Sequence, residues 1–265
     1  MANISASKGM LAGHDEPAIH RIGLSDLRDA LARGYDDFMA TPTQLVFLGI
    51  IYPLVGLVAA RAAAGGDLLP LFYPMVAGLS LMGPVAAIGI YELSRRREQG
   101  LEVSWVNAFD ILRAPALGSI VALGLLLCVI FVAWLLTANM IYEMTMGRLP
   151  FPGSVRAFAG QVLGTPEGRN LILLGNAAGF FFAVLVLTLT VVSFPMLLDR
   201  NVGVATAVRT SIRAVVANPG TMAIWGLIVA ALLLLGCLPV FVGLAVVMPL
   251  LGHATWHLYR KVVQN

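Results

Sequence analysis

The chain alternates between long uncharged apolar stretches and short charged segments. Counting His as neutral, the uncharged stretches cover 38–60, 68–91, 114–142, 170–198 and 214–259. A helix that crosses a bilayer needs about 20 apolar residues, so each of the first four stretches holds one span. The last stretch is long enough for two spans, which a turn at 235–239 separates. The pattern predicts an all-α integral membrane protein with six transmembrane helices.

The expected organisation is a single six-span membrane domain at 24–261, preceded by a disordered cytoplasmic tail at 1–23. The spans are predicted at about 43–63, 69–92, 116–141, 170–198, 220–236 and 238–259. An external loop at 142–169 joins the third and fourth spans. Its apolar positions predict one short helix inside that loop.

Each odd-numbered span follows an amphipathic segment that ends at a proline. In the first segment, 24–40, apolar side chains recur every three or four residues: Leu24, Leu27, Leu31, Tyr35 and Phe38. Ser25 is its predicted N-cap, and the other two segments run through 105–112 and 204–215. Such helices lie in the membrane interface and fix where the next span begins, the alternative being a surface that senses lipid or binds a partner.

An internal repeat relates the first and third pairs of spans. Thr41-Pro42 aligns with Asn218-Pro219, and Pro84 aligns with Pro249. The middle pair keeps Pro115 and Pro195 but follows the pattern more loosely. We therefore expect three parallel hairpin repeats, each preceded by an amphipathic interfacial helix. Parallel repeats do not build the midplane site of inverted-repeat transporters, and they leave a pseudo-threefold arrangement open.

Composition supports a membrane location and excludes a water-soluble domain. The residues are 59% hydrophobic and only 12% charged, with a mean hydropathy of +0.87. The net charge of +3 comes from Lys and Arg in short loops, which does not favour a nucleic-acid partner. Only four of these 17 residues fall on one side of the predicted spans: Arg61, Arg148, Arg156 and Arg169. The positive-inside rule then places both termini in the cytoplasm.

The predicted spans contain few polar groups and no ionisable side chain at depth. Asn176 lies in the small-residue run from Gly175 to Gly179, which predicts close helix packing with the amide reaching a neighbouring helix. The absence of a buried carboxylate in the spans disfavours a proton-coupled or cation transporter.

Pro84, Pro195 and Pro249 each remove one helical hydrogen bond and favour a kink. Prolines are also common in membrane spans for packing reasons alone. The sequence therefore leaves two interpretations of these prolines: packing, or a gate hinged at all three.

One candidate site combines the ends of the even-numbered spans. Counted from the repeat prolines, Asp199 and His253 share one position, while Glu92 and His257 share another. Threefold symmetry would bring these four side chains together as a site for a divalent metal or as a proton relay. The alternative is that they are ordinary helix ends, with each carboxylate paired to a nearby arginine.

Several motifs resemble a bacterial family of uncharacterised six-span inner-membrane proteins, a domain of unknown function. They are 22–27, 41–42, 83–84 with 91–96, 193–200 and 252–260. The resemblance implies a multi-pass location in the bacterial inner membrane. Some relatives are labelled putative cytochrome c oxidase subunit I, but the catalytic core of that enzyme needs six histidines and this chain has four.

The expected function is that of a non-catalytic accessory, scaffold or assembly component. Its expected partners are the lipid bilayer and other membrane-protein subunits. We find no catalytic motif, so no enzyme activity and no cofactor are expected. One alternative is a carrier or channel for a small or lipid-like solute. Another is a protein that holds haem or a metal at the pair His253 and His257.

Overall fold

A computed structural model describes residues 17–41, 72–150, 154–239 and 241–263, and these residues form an all-helical protein. The α-helices are α1 (Leu24–Ala40), α2 (Phe72–Leu79), α3 (Gly83–Ala86), α4 (Ile88–Glu98), α5 (Leu117–Thr145), α6 (Val155–Gly164), α7 (Pro166–Thr190), α8 (Ser193–Asp199), α9 (Val204–Ala217), α10 (Pro219–Cys237) and α11 (Leu244–Val262). Two 3₁₀ helices, Ser80–Met82 and Trp105–Arg113, complete the described elements.

Four helical segments of the described residues are long and apolar enough to cross a membrane. They are Pro74–Glu98, Leu117–Thr145, Pro166–Asp199 and Pro219–Cys237. These segments match the predicted second to fifth spans, and the predicted first span lies outside the described residues. Helix α11 covers the predicted sixth span but is not one of the four, because its last turns carry histidines, Arg260 and Lys261. It also begins later than predicted, at Leu244.

Two of the predicted spans are interrupted close to their prolines. The first break is the 3₁₀ turn Ser80–Met82, after which Pro84 lies in the first turn of α3. The second is the turn at 191–192 between α7 and α8, just before Pro195. Both breaks agree with the loss of a helical hydrogen bond at proline. Pro249, by contrast, lies inside the continuous helix α11.

The described helices divide into a densely buried end and a more exposed apolar part. The buried end consists of α1, α4, α8, α9 and the C-terminal half of α11, and we call it the terminal layer because both described chain ends lie in it. Helices α5, α7 and α10 expose large apolar side chains along their length, among them Val129, Leu136, Leu173, Phe180, Leu227 and Leu234. Such faces suit lipid or another membrane protein.

Helix α1 packs against α11 with a face that includes only part of the predicted apolar stripe. Its buried stripe contains Leu27, Ala30, Gly34 and Asp37, whereas Leu24, Tyr35 and Met39 are exposed. The reason is steric: a Cβ atom built on Gly34 would lie only 2.6 Å from the backbone nitrogen of Ala254. The two backbones can cross this closely only where the side chains are small.

The start of α1 also differs from the prediction. Gly23, rather than Ser25, is the N-cap. Its backbone N–H donates a 2.9 Å hydrogen bond to Oδ2 of Asp26, which satisfies one of the free amides at the helix start.

The other two predicted amphipathic segments also form helices that lead into membrane spans. The 3₁₀ helix Trp105–Arg113 packs on α4, and α9 packs on α7 and α8. The 3₁₀ helix leaves Trp105, Phe109 and Leu112 at least half exposed. An exposed apolar stripe at this position is typical of a helix in the membrane interface.

The predicted external loop contains the predicted helix, α6. Thr165 accepts a 3.0 Å hydrogen bond from the backbone N–H of Gly168 and caps α7, and Pro166 is the first residue of that helix.

Asn218 holds the residues that precede α1. Its Oδ1 accepts from the Ile22 backbone N–H at 2.8 Å, and its amide donates to the carbonyl of His20 at 3.0 Å. Ile19 forms an isolated antiparallel bridge with Val263 next to this contact. The segment before α1 is thereby fixed between the start of α10 and the end of α11.

The close crossing of α1 and α11 predicts the effect of enlarging Gly34. We expect Gly34→Leu to destabilise the purified protein by about 1–3 kcal/mol, because a side chain of this size would force α1 and α11 apart and disturb the terminal layer. Ala32→Leu is the matched control, since Ala32 lies on the exposed face of α1. Thermal melting in mild detergent measures both, and equal melting temperatures for the two variants would contradict the close crossing.

Candidate functional site

The structure brings the two predicted histidines together with Asp37, a residue that the sequence had not marked as functional. Asp37 lies in α1 and is only 6% exposed. Its Oδ2 atom accepts a hydrogen bond from the Ser94 hydroxyl at 2.7 Å and lies 2.8 Å from Nε2 of His257. Its Oδ1 atom lies 3.1 Å from Nε of Arg97. One carboxylate therefore joins α1 to α4 and to α11.

His253 continues this network into the interior. Its Nδ1 atom lies 2.7 Å from the Ser94 hydroxyl oxygen and 3.9 Å from Oδ2 of Asp37. Because the Ser94 proton goes to the carboxylate, Nδ1–H of His253 is assigned as the donor to Ser94. Proton donation then runs in one direction, from His253 to Ser94 to Asp37.

The assigned tautomer leaves Nε2 of His253 as a bare acceptor. This atom is buried and has no hydrogen-bond partner among the residues that the structure describes. The side chain is 1% exposed. In the protonated ring Nε2 would be a buried N–H donor without a partner and the ring would carry a positive charge. Burying the neutral ring with an unpartnered acceptor costs less free energy, so this site favours neutral His253.

The environment of Asp37 favours its ionised form. Burial alone would raise the pKa of this carboxyl, but hydrogen bonds from His257 and Ser94, with the positive charge that the histidines can carry, hold the pKa below its ordinary value. Asp37 is consequently a carboxylate at neutral pH, and three donors share its charge.

The other two predicted site residues have different partners. Glu92, buried in α4, forms a two-pronged ion pair with Arg95 at 2.7 and 3.0 Å. Asp199 at the end of α8 accepts hydrogen bonds from the Tyr259 hydroxyl at 2.6 Å and from Arg260 at 3.1 Å. These carboxylates follow the simpler sequence interpretation of paired helix ends, although Asp199 pairs across helices.

Arg260 links three helices at once. Besides Asp199 of α8, its guanidinium donates to Oε1 of Glu98 in α4 at 3.0 Å, and Arg260 itself belongs to α11. Oε2 of Glu98 accepts a further hydrogen bond from the Trp256 indole at 3.1 Å. Because the guanidinium is planar and carries several donors, a single side chain can hold two carboxylates in fixed positions.

The predicted metal site is not assembled from these four residues. In the described part of the chain, no group of three or more His, Cys, Asp or Glu side chains is arranged to hold a metal ion. The imidazoles face Asp37 and Ser94, while the carboxylates face arginines. A first-row metal would need three or four such ligands around one point.

The small-residue run in α7 packs less symmetrically than predicted. A Cβ atom on Gly179 would lie 3.4 Å from the Trp134 ring of α5, whereas Gly175 has open space beside it. The Asn176 amide donates to the Ile172 carbonyl of its own helix at 2.7 Å. The amide therefore bonds within α7, whereas the sequence predicted a contact with a neighbouring helix.

The contribution of Asp37 to stability has a defined pH dependence. We expect Asp37→Asn to lower the free energy of unfolding at pH 7 by about 2–3 kcal/mol, because it removes charge-assisted hydrogen bonds in a buried site. Since the pKa of Asp37 is lowered on folding, its stabilisation is present above its ordinary pKa and is lost as the pH falls through the folded value. The difference between wild type and variant should therefore shrink below about pH 4.

Asp36→Asn is the matched control for this experiment, because Asp36 is the adjacent exposed carboxylate of α1. Melting in mild detergent across pH 3 to 8 measures all three proteins. If the two variants had the same stability at pH 7, the buried network would not be a stabilising element.

Comparison with known protein families gives a match to a family model that covers residues 72–199. No curated protein and no solved structure matches the chain. The matched residues run from α2 to the end of α8, so they contain three of the four candidate spans as well as Ser94 and Arg97. The match confirms the resemblance to a membrane-protein family of unknown function. Over residues 72–199 the chain is similar to the family described as Predicted integral membrane protein (DUF2189).

Proposed function

We propose that the protein is a non-catalytic accessory, scaffold or assembly component of the bacterial inner membrane. The observation that carries this proposal is the contrast between its two parts. The ionisable side chains of the terminal layer are used to join its own helices, as Asp37 and Arg260 show. The described membrane helices instead present broad apolar faces outward.

Helix α10 has the most open of these faces. Only 17% of its apolar 18-residue stretch is buried against other described parts of the protein, compared with 61% for the segment Pro166–Asp199. Leu227 and Leu234 project from α10 and are each about two thirds exposed, whereas Trp225 of the same helix is buried. A partner helix packed on this face would gain van der Waals contacts that lipid chains provide less regularly.

The architecture that we propose for this function has six spans in three parallel hairpins, with both termini in the cytoplasm. The described helices α1, Trp105–Arg113 and α9 support it, because each precedes an odd-numbered predicted span. The distribution of Lys and Arg supports the orientation. The terminal layer then faces the cytoplasm, and α6 lies outside.

A carrier or channel for a small or lipid-like solute is the second candidate. The helix breaks before Pro84 and Pro195 favour it, because interrupted membrane helices can pivot at such points. The three helix ends joined by Arg260 would then form the cytoplasmic closure.

The orientation predicts where a reporter enzyme is active. Alkaline phosphatase, which folds only outside the cytoplasm, should be active when fused within 145–165 and inactive when fused after residue 265. Activity in the C-terminal fusion alone would reverse the orientation. Comparable activity in both fusions would contradict the odd number of spans between these points.

The scaffold role predicts protein contacts at the open face of α10. A photo-crosslinking amino acid at Leu227 or Leu234, introduced in living cells, should give adducts with other membrane proteins. The same probe at the buried Trp225 is the matched control and should give none. Adducts with lipid alone, from both exposed positions and from Val129 and Leu136 of α5, would contradict the scaffold role.

Reconstituted vesicles separate the two candidates. The scaffold proposal predicts no solute flux above that of protein-free vesicles across a broad panel of small solutes. Solute flux that rises when Arg260 is replaced by Gln would favour the carrier or channel, because that change removes the proposed cytoplasmic closure. The visible spectrum of the same purified sample is expected to show no haem absorption.

A further inference from the structure

Each lead segment that precedes an odd span packs against an exit helix that ends an even span. The lead segments are α1, the 3₁₀ helix Trp105–Arg113 and α9, and the exit helices are α4, α8 and α11. The 3₁₀ helix packs on α4 and α9 packs on α8. In both pairs the partners are neighbours in sequence, joined by the short connections 99–104 and 200–203.

The remaining pair joins opposite ends of the chain. Helix α1 packs on α11, although more than 200 residues separate them. The first and last described segments of the chain meet at this pair, because Ile19 is bridged to Val263 and the His20 backbone N–H donates to the Val262 carbonyl at 2.8 Å. The ends therefore occupy the place that a connection occupies in the other two pairs.

Two of the pairs share the exit-helix position at which the backbones approach most closely. A Cβ atom on Gly34 would lie 2.7 Å from Cβ of Ala254, and one on Gly89 would lie 2.9 Å from Cβ of Ala108. Gly89 and Ala254 are each five residues after their repeat proline, Pro84 and Pro249. Two lead segments thus cross their exit helices at the same repeat position.

Acidic residues recur at one lead-segment position in two of the pairs, although their partners lie at different repeat positions. Asp37 and Asp110 each lie five residues before the proline that ends their lead segment. Asp37 bonds to His257 of its exit helix, and Asp110 pairs with Arg96 of its own at 3.3 Å. The third pair departs from this pattern, because Ala214 occupies the corresponding position. There Ser211 of α9 accepts a hydrogen bond from the Val192 backbone N–H instead.

The three exit helices also contact one another, and Arg260 ties their ends together. We propose that the lead segments and exit helices form a closed pseudo-threefold ring, in which α11 and α1 are one lead–exit unit split by the chain ends. Helix α1 then closes the ring by packing on α11. This inference rests on the three-hairpin architecture proposed above, and it goes further by making the three connections equivalent.

Equivalent connections predict that the chain ends can be moved. A circular permutant that begins at Leu101, ends at Gly100 and joins Asn265 to Met1 keeps every native residue, with 1–18 and 264–265 as the new connection. A second permutant is opened between Asn201 and Val202. Both should insert and melt within about 5 °C of the wild type, a shift that corresponds to a small stability change in a chain of this size.

The matched control permutant is opened between Ala207 and Val208, in the middle of α9. It has the same junction of Asn265 to Met1 but interrupts a lead segment, so it should lose its cooperative melting. If both connection-opened permutants insert but behave like this control, the proposal is overturned.

Pairs of introduced cysteines test the contact between α1 and α11 in the native chain order. If a permutant fails to insert, these pairs alone decide the proposal. In a chain with Cys128 and Cys237 replaced by Ala, Gly34→Cys with Ala254→Cys is compared with Gly89→Cys with Ala108→Cys. Disulfides need a Cβ separation of about 3.5–4.5 Å, so both pairs require a similar small opening of the helices. Equal cross-linking supports a closed ring. Cross-linking of the 89–108 pair alone means that α1 does not close it.

The phosphatase fusions distinguish a failure of the ring proposal from a failure of the three-hairpin architecture on which it rests. A failure of the permutants or of the 34–254 cross-link with the expected fusion pattern overturns the ring and leaves the three hairpins intact. A contrary fusion pattern overturns the hairpins themselves.

Discussion

The terminal layer depends on one constraint, which is that the Asp37 carboxylate is buried and must be fully engaged. An ionised carboxylate removed from water costs several kcal/mol unless donors surround it. Ser94 and Arg97 of α4 and His257 of α11 provide those donors. Helix α1 can therefore dock only where two other helices present their polar groups together, and this fixes its position along both.

Close packing makes that engagement geometrically feasible. Gly34 lies one turn before Asp37 and allows the backbones of α1 and α11 to approach, which brings His257 within hydrogen-bond distance. Farther toward the start of α1, Lys261 pairs with Asp29 at 2.7 Å. This pair is more exposed and contributes less, because water screens it. The crossing and the buried carboxylate thus act together, and either alone would leave α1 loosely placed.

The carboxylates of the terminal layer contact groups on its own helices. Glu92, Asp199 and Glu98 are neutralised by arginines, and Asp37 is shared by three donors, so these carboxylates are committed to helix contacts. The apolar helices α5, α7 and α10 carry the surface that remains for interaction. The scaffold that we propose would bind partners through these apolar helices, whereas a carrier would have to break the Arg260 contacts in order to open.

The sequence by itself determined the features that depend on local pattern. Hydrophobic length predicted the candidate spans, because about 20 apolar residues must cover a bilayer regardless of what they contact. Three- and four-residue spacing predicted α1 at 24–40 and α9. The family resemblance was also carried by local motifs, several of them within the matched residues 72–199.

Tertiary structure decided which face of each helix is buried and which polar residues meet. Asp37 looked like part of a solvated face, because its neighbours Asp36 and Arg33 are exposed and its partners are 57 to 220 residues away. The repeat arithmetic grouped Glu92 and Asp199 with the histidines, but it could not include a partner from α1. Periodicity reports the spacing of apolar side chains along one helix. It does not report how closely two backbones approach, and here the small size of Gly34 gives α1 a buried face that includes only part of its apolar stripe.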